Sequence, residues 1–498
     1  MTPVPARHRR CPRVVTLGSL ALSACAVGPN FHQPAEPAVD RYTAQPLPAA
    51  PAPPATPAEL PAAERPVQYF LIGQNARSDW WKGFGSDKVD ALVDQALRAN
   101  PTVQAAEASL RQANEYVAAQ RGSYFPTVQA SFSASKNRNA VQVLAPTLTS
   151  GAATFNLFTP QLTVSFVPDL LGGNRRQVES LQAQADASRF EYDAAYITLA
   201  ANVVSTAIQE AGLRAQIEAT QQVIALELEA LSVMRRALAL GAIAEADVLA
   251  QDAALAQVEA TLPPLQKSLD QQQDMLVALT GQLPGEAPVS ELRLDQLTLP
   301  LAIPVGVPAQ LVERRPDVRA AEAQLHAATA EVGVAIANML PQIALTGSIG
   351  NASTSVSSLF TSLTQFWSAG ASLTQTLFAG GALNHRERAA RAALDAAGAQ
   401  YRTAVLTAFQ NVADSLRALA ADQDAVQAEE YAYRASLASL EIARRQVELG
   451  AVSYLVLLNA EQTFQQALIG RAQALTSRYA DTAALFLALG GSAPATAR

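Results

Sequence analysis

The chain has only two cysteines, Cys11 and Cys25, both near the N-terminus. Its body therefore has no disulfide framework and no thiolate metal site. Histidine is as scarce: His8, His32, His326 and His385. The last two stand alone on helical stretches, as surface residues do. Charged residues make up 16 %, against about a quarter in an average soluble domain. The formal net charge is −7, which argues against a nucleic-acid partner. There is no P-loop, Rossmann fingerprint, nucleophile motif or metal-ligand spacing. A pump would need a nucleotide site or charges inside membrane helices, and neither is found. No catalytic, cofactor-binding or metal residue is assigned, and an enzyme is not expected.

What the chain does have is a repeat. Pro101-x-Val103-x-Ala105-Ala106-Glu107-Ala108-x-Leu110 returns 215 positions later as Pro316-x-Val318-x-Ala320-Ala321-Glu322-Ala323-x-Leu325. A second block returns at offset 209, where Ile224, Leu228, Leu231, Arg235, Leu238 and Gly241 answer to Tyr433, Leu437, Leu440, Arg444, Val447 and Gly450. A unit of about 200 residues is too long for a solenoid module and reads as a duplicated half of one object.

The N-terminus reads as an address. Arg7, Arg9, Arg10 and Arg13 precede a short apolar stretch from Val14 to Leu22, then Leu22-Ser23-Ala24-Cys25. That order describes a secretory signal, and the apolar stretch is too short to span a bilayer. The cut site resembles a bacterial lipobox, which implies lipidation of Cys25, the covalent lipid being the only added group expected. Residues 33–66 are rich in Pro and Ala and form an extended tether.

Each copy begins with helix. Asp87–Ala119 is interrupted once, at Asn100-Pro101, a stop and restart. Then the period becomes two. Val128, Ala130, Phe132 and Ala134 alternate with Gln129, Ser131, Ser133 and Ser135, and Leu162 to Phe166 alternates likewise. Copy two offers Ile343 to Ile349 and a weaker segment from Ala369 to Leu377. A face of hydroxyls and amides opposite an apolar face suits barrel strands with water inside and lipid outside. Loops are expected at 136–161 and 351–366. After Gly172-Gly173 and Gly380-Gly381 come long helices. Arg175–Glu210 alone predicts about 50 Å, with a return turn at Gly212-Leu213-Arg214. A heptad seam follows through Ile224, Leu228, Leu231, Arg235 and Leu238.

Four strands per chain cannot close, and a sheet in lipid cannot leave an edge. Two chains would give eight strands with a filled interior; three would give twelve and a pore. The polar inner faces favour three.

Several further runs identify a resemblance: Val27-Gly28-Pro29-Asn30-Phe31, Trp80-Trp81-Lys82-Gly83-Phe84, Leu92-Val93-Asp94-Gln95-Ala96-Leu97, Glu313-Arg314-Arg315-Pro316-Asp317, Leu340-Pro341-Gln342-Ile343 and Gln410-Asn411-Val412-Ala413-Asp414. From residue 20 to 491 the chain resembles the TolC-like outer-membrane efflux proteins, in their NodT-type lipoprotein branch. The resemblance implies an α+β membrane protein: a homotrimer with a 12-stranded transmembrane β-barrel continued by a long α-helical periplasmic barrel. It implies a girdle using Trp80-Trp81 and the chain near Gly241 and Gly450. It implies a passive duct for drugs and other small toxic compounds, fed by a periplasmic adaptor and an inner-membrane pump of the RND or a similar class. The family's tunnel narrows at its periplasmic tip, expected here near Leu213 and Asp422. The gate candidates are Asp414 and Arg417, at i and i+3 on one helical face. The rival reading is a non-pore helical envelope lipoprotein, which has no use for lipid-facing strands. The expected boundaries are 1–24 signal peptide, 25–66 tether, 67–286 first repeat, 287–310 linker, 311–491 second repeat and 492–498 tail.

Overall fold

The computed structural model describes residues 27–35, 37–39, 41–43, 68–138, 154–285 and 291–491. Its elements are β1 (Tyr69–Ile72), α1 (Asp87–Ala99), α2 (Pro101–Arg121), β2 (Thr127–Arg138), β3 (Thr154–Phe166), α3 (Gly173–Ala239), α4 (Glu245–Leu279), β4 (Ala302–Val305), α5 (Pro308–Arg314), α6 (Pro316–Ala337), β5 (Gln342–Asn351), β6 (Gln365–Thr374), α7 (Ala382–Glu448) and α8 (Tyr454–Ala488). The repeat is visible in their lengths. α3 and α7 both have 67 residues, and α4 and α8 both have 35.

The chain falls into two compact units that cut across the repeats. One comprises Arg111–Ala187, Glu322–Gln400 and the N-terminal segment up to Gln33. It holds a four-stranded antiparallel sheet in the order β2-β3-β5-β6. The strands run further than the alternation alone predicts: β2 continues to Arg138, and β3 already begins at Thr154. Within the expected 136–161 loop, residues 139–153 lie outside the described residues. β6 starts at Gln365 and ends at Thr374, so Thr376 and Leu377 fall beyond it.

The other unit comprises Pro34–Leu110, Ser188–Ala321 and Tyr401–Arg498. Its main core joins Trp80, Trp81, Phe84, Val89 and Val93 to Leu199–Ala211 of α3, to Leu292 and Leu297, and to Ala483 and Phe486 of α8. N-terminal, mid-chain and C-terminal segments thus meet in one core. The Trp80 ring stacks on Phe486 with centroids 5.2 Å apart. α1 presents Val89, Val93 and Ala96 at helical spacing. It ends because Pro101 cannot continue it, and Asn100 Oδ1 accepts from the Thr102 N–H at 2.8 Å. β1 pairs in parallel with β4, so the 287–310 linker is partly a strand.

Two expectations about the helices are corrected. α3 does not turn at Gly212-Leu213-Arg214; it runs unbroken to Ala239. Gly212 is there for close approach, since a Cβ on it would meet Thr476 Oγ1 of α8 at 2.3 Å. The chain reverses instead at Gly241 and Gly450, with φ of 73° and 69°. Each glycine closes a helical hairpin, α3/α4 or α7/α8, rather than joining the Trp80 core. The hairpin ends are therefore at Gly241 and Gly450, while Leu213 and Asp422 lie inside helices.

The seam also shifts by one position. Leu231 and Met234 are buried against Val248 and Leu255, with Ile224 and Leu238 packed alongside. Leu228 is 49 % exposed, and Arg235 turns outward to pair with Asp252 at 3.0 Å. The seam is Ile224, Glu227, Leu231, Met234, Leu238, with an acid in it.

Candidate functional site

The sheet has two faces of opposite chemistry. Its register puts Val128 opposite Val164, and Ala130 opposite Leu162. Leu162 in turn faces Ile349 across to β5, and Ile349 faces Trp367 of β6. Side chains alternate along a strand. One face therefore carries Val128, Phe132, Leu162, Val164, Ile343, Leu345, Ile349, Trp367 and Leu373. The opposite face carries Gln129, Ser131, Ser133, Thr163, Ser165, Thr346, Ser348, Ser368 and Ser372. Ser348 and Ser368 bond to each other across it at 2.8 Å.

Neither face is covered by protein. Val128, Phe132, Trp367 and Leu373 are all exposed by more than half. β2 and β6 are open edges among the described residues. In water such a sheet would expose a wide apolar surface and two unpaired strands. The apolar face has limits. Beyond Ala134 it continues into Lys136 and Arg138, paired with Asn156 and Thr154. At the other end lie Phe125, Leu377 and Phe378, all strongly exposed. A bounded apolar band with aromatics at its edge is the pattern of a lipid-facing strand set. Composition hid these flanking aromatics, because they lie outside the alternating runs. No described helix is long and apolar enough to cross a membrane.

The same unit holds the start of the described chain. Cys25 lies outside the described residues. Val27 N–H donates to the Leu171 carbonyl just past β3, at 3.4 Å. Buried Arg176 of α3 donates to the Val27 carbonyl at 3.1 Å and to Asn30 Oδ1 at 2.6 Å. Arg176 also pairs with Glu179 at 2.7 Å, and Glu179 bonds His326 of α6 at 3.0 Å. His326 stacks on Phe31, centroids 4.3 Å apart. Gly28 presses on Gly333 so closely that a Cβ would sit 2.5 Å from its Cα. His326 is thus not a lone surface residue; it helps clamp the N-terminal segment.

In the other unit the Glu313–Asp317 run acquires a structural meaning. Arg315 is buried, pairs with Asp317 at 2.7 Å and donates to the Ala488 carbonyl at 2.8 Å. The gate candidates Asp414 and Arg417 lie on the exposed face of α7, whose buried face carries Val412, Leu416 and Leu419. They are not at a hairpin end. Gly450 lies more than 30 residues further on, about 50 Å of helical rise. Among the described residues no ion pair joins them; Asp414 accepts a long 3.4 Å bond from Gln410. Asp414 instead edges a groove of about 420 Å³ with Arg315, Asp317, Asn411 and Thr198. In the first repeat the equivalent of Arg417 is Ile208, buried under the α1 and Trp80 layer. The copies therefore differ in polarity here.

The comparisons agree with this geometry. Pyoverdine export outer membrane protein OpmQ of Pseudomonas putida is 29 % identical over 417 residues, covering 83 % of this chain and 87 % of its own. Outer membrane protein OprJ of Pseudomonas aeruginosa is 29 % identical over 485 residues, 95 % of this chain and 94 % of its own. The solved structure of the outer-membrane channel OprN superposes with a TM-score of 0.82 at 29 % identity, over 94 % of this chain and 99 % of that one. The family model described as outer membrane efflux protein matches residues 92–282 and 307–491. Its members are passive channels, which accords with the absence of catalytic motifs. With its sheet in the outer membrane and its helical part in the periplasm, the chain belongs to the outer membrane efflux protein family.

Proposed function

We propose that three copies of this chain form one passive duct through the outer membrane. Twelve strands would close into a barrel, apolar band outward and hydroxyl face inward, and the paired hairpins of α3/α4 and α7/α8 would line the periplasmic tunnel. The observation that carries this reading is the sheet that is uncovered on both faces and unpaired at both edges. Closure with further copies removes the edges, and twelve strands leave room for a pore where eight do not. A purely structural lipoprotein would leave the apolar band without a role.

Substrates would arrive from an inner-membrane pump through a periplasmic adaptor, and the pump would set selectivity. Leu240 and Leu449 stand at equivalent places just before the two hairpin turns, 85 % and 83 % exposed. They are the residues we assign to adaptor contact. Lipidation of Cys25 fits the clamp, because Val27, two residues on, is held at the foot of β3. The substrates are taken to be small molecules exported outward, OpmQ being named for export of pyoverdine.

The deciding experiment is the mass and bilayer conductance of the oligomer purified in detergent. A trimer that conducts is expected. A monomer, or a trimer silent under all voltages and adaptor conditions, would overturn the reading.

A further inference from the structure

The hairpins contain two acids that the conduit does not use. Glu227 of α3 and Glu461 of α8 are 0 % and 3 % exposed. No oxygen of either carboxylate has a hydrogen-bond partner of good geometry. Both occupy positions where apolar residues belong. Glu227 replaces a hydrophobe in the α3 seam, between Ile224 and Leu231. Its neighbour Leu226 reaches the second hairpin and packs with Leu440 and Ala443 of α7 and Leu457, Ala460 and Phe464 of α8. Glu461 lies one turn from both Leu457 and Phe464 on that stretch of α8. The two acids belong to one contact between the first hairpin and the second.

Few groups are placed to neutralise them. From α7, Arg444 approaches Glu461 to 4.0 Å, the outer limit of an ion pair. From α4, buried Gln251 lies beside Glu461, its amide nitrogen without a hydrogen bond of good geometry. On Glu227 itself the charge that bears is that of Glu461. The repeat supplies an internal control. At offset 209, Ser436 stands for Glu227, Asp252 for Glu461 and Arg235 for Arg444. Arg235 and Asp252 form an ordinary, partly exposed pair at 3.0 Å. One junction has a buried acid facing an acid; its equivalent does not.

Two carboxylates shut away from solvent, with a single guanidinium 4.0 Å from Glu461, cannot both stay ionised. We propose that Glu227 is protonated in the closed contact and Glu461 faces it there, making the pair a proton-dependent latch between the two helical hairpins. Burial, and then the charge of Glu461, push the Glu227 carboxyl up to about 7. Burial also raises Glu461, against the pull of Arg444 and Gln251. The closed contact binds more protons than the opened one, so its stability is full below the ordinary carboxylate range. It is lost progressively as pH rises through about 7. Release would free one hairpin to move against the other. The inference rests on contacts within one chain and stands whether or not three chains make a conducting pore.

The test is hydrogen exchange on the full-length protein in detergent at pH 6 and pH 8, corrected for intrinsic rates. Peptides covering 224–234 and 457–464 should open about tenfold more often at pH 8. Glu227→Gln mimics the protonated acid and should flatten the dependence. Glu227→Leu should do the same if the amide variant does not fold. Asp252→Asn, at the control junction, should leave the tenfold change intact. Equal wild-type protection at both pH values would overturn the latch. So would a full pH dependence in the Glu227 variants, or its loss in Asp252→Asn.

Discussion

Arg315 holds the end of the last helix: its Nη1 donates to the Ala488 carbonyl at 2.8 Å. In the first repeat Asn100 occupies the equivalent position and donates to the Leu279 carbonyl at 2.9 Å. Each residue precedes the proline that restarts a helix, and each satisfies a carbonyl orphaned at a helix C-terminus. Gly490 and Gly281 follow those carbonyls and allow the approach, since a Cβ on either would lie under 3.0 Å from the opposing chain. One joint is therefore built twice, once with an amide and once with a guanidinium. Arg315→Ala should destabilise the protein by about 2–3 kcal/mol, because a buried carbonyl and Asp317 lose their partner. Asn100→Ala should cost about 1 kcal/mol. Arg315→Lys should recover only part, since one ammonium cannot serve Asp317 and Ala488 in the same fork. Thermal unfolding in detergent would rank the three variants, and Arg315→Ala ranking mildest would refute the joint.

Phe132 and Ser133 are neighbours on opposite faces of β2, and they should respond oppositely to charge. Phe132→Arg places a cation on the apolar face, at a cost of roughly 2–4 kcal/mol if that face meets the bilayer core. The folded oligomer recovered from outer membranes should fall sharply. Ser133→Arg puts the same charge on the hydroxyl face, where yield should be kept and the reversal potential should move toward anion selectivity. The reverse pattern would mean that the sheet is inside out.

How much of the fold is legible in the sequence is best seen at four places. The strands of copy one are legible because strict alternation of Val/Ala/Phe with Gln/Ser has one physical reading. The sequence suggests a turn at Gly212 where α3 runs on, because glycine serves two purposes. It permits a turn at Gly241, and it permits close packing against Thr476 at Gly212. Local sequence does not separate them. The seam differs from the sequence pattern for a related reason: positions 227 and 228 both satisfy a 3–4 spacing, and Leu228 is the apolar choice. Only the second hairpin, far away in sequence, explains why Glu227 is the buried one. The gate residues show the same limit. Asp414 and Arg417 do share a helix face, but the distance to the tip depends on where α7 ends.

Asp414 and Arg417 should act as lumen charges rather than as a latch at the tip. Both are exposed and they do not pair, so replacing both with alanine should change stability by no more than about 0.5 kcal/mol. Arg417→Ala should make the open channel more cation-selective, and Asp414→Ala less so. Unchanged reversal potentials in both variants would place the pair away from the lumen.

The N-terminal clamp should loosen in acid. Burial works to raise the Glu179 carboxyl, but the hydrogen bonds from His326 and Arg176 outweigh it, and the group lies below its ordinary value. A depressed carboxylate contributes stability that is present above the unfolded value and lost as pH falls through the folded one. Limited proteolysis after residue 33 should therefore be slow at neutral pH and quicken as pH falls below the ordinary carboxylate range. Glu179→Gln should show the fast cleavage already at neutral pH. Acid-independent cleavage in the wild type would contradict this role for Glu179.

The hairpin turns offer the cleanest separation of export from channel formation. Leu240 and Leu449 are almost fully exposed, and each adjoins a turn glycine with positive φ, so neither supports the fold of its own hairpin. An exposed leucine repeated at both turns gains by burial against a partner, about 1.5–3 kcal/mol per side chain. Leu240→Glu with Leu449→Glu should leave oligomer mass, thermal stability and bilayer conductance as in the wild type. Export of a fluorescent dye by cells carrying the pump and adaptor should fall, together with co-purification of the adaptor. Full export by the double variant would show that the adaptor docks elsewhere. Loss of conductance would show instead that the turns belong to the channel's own constriction.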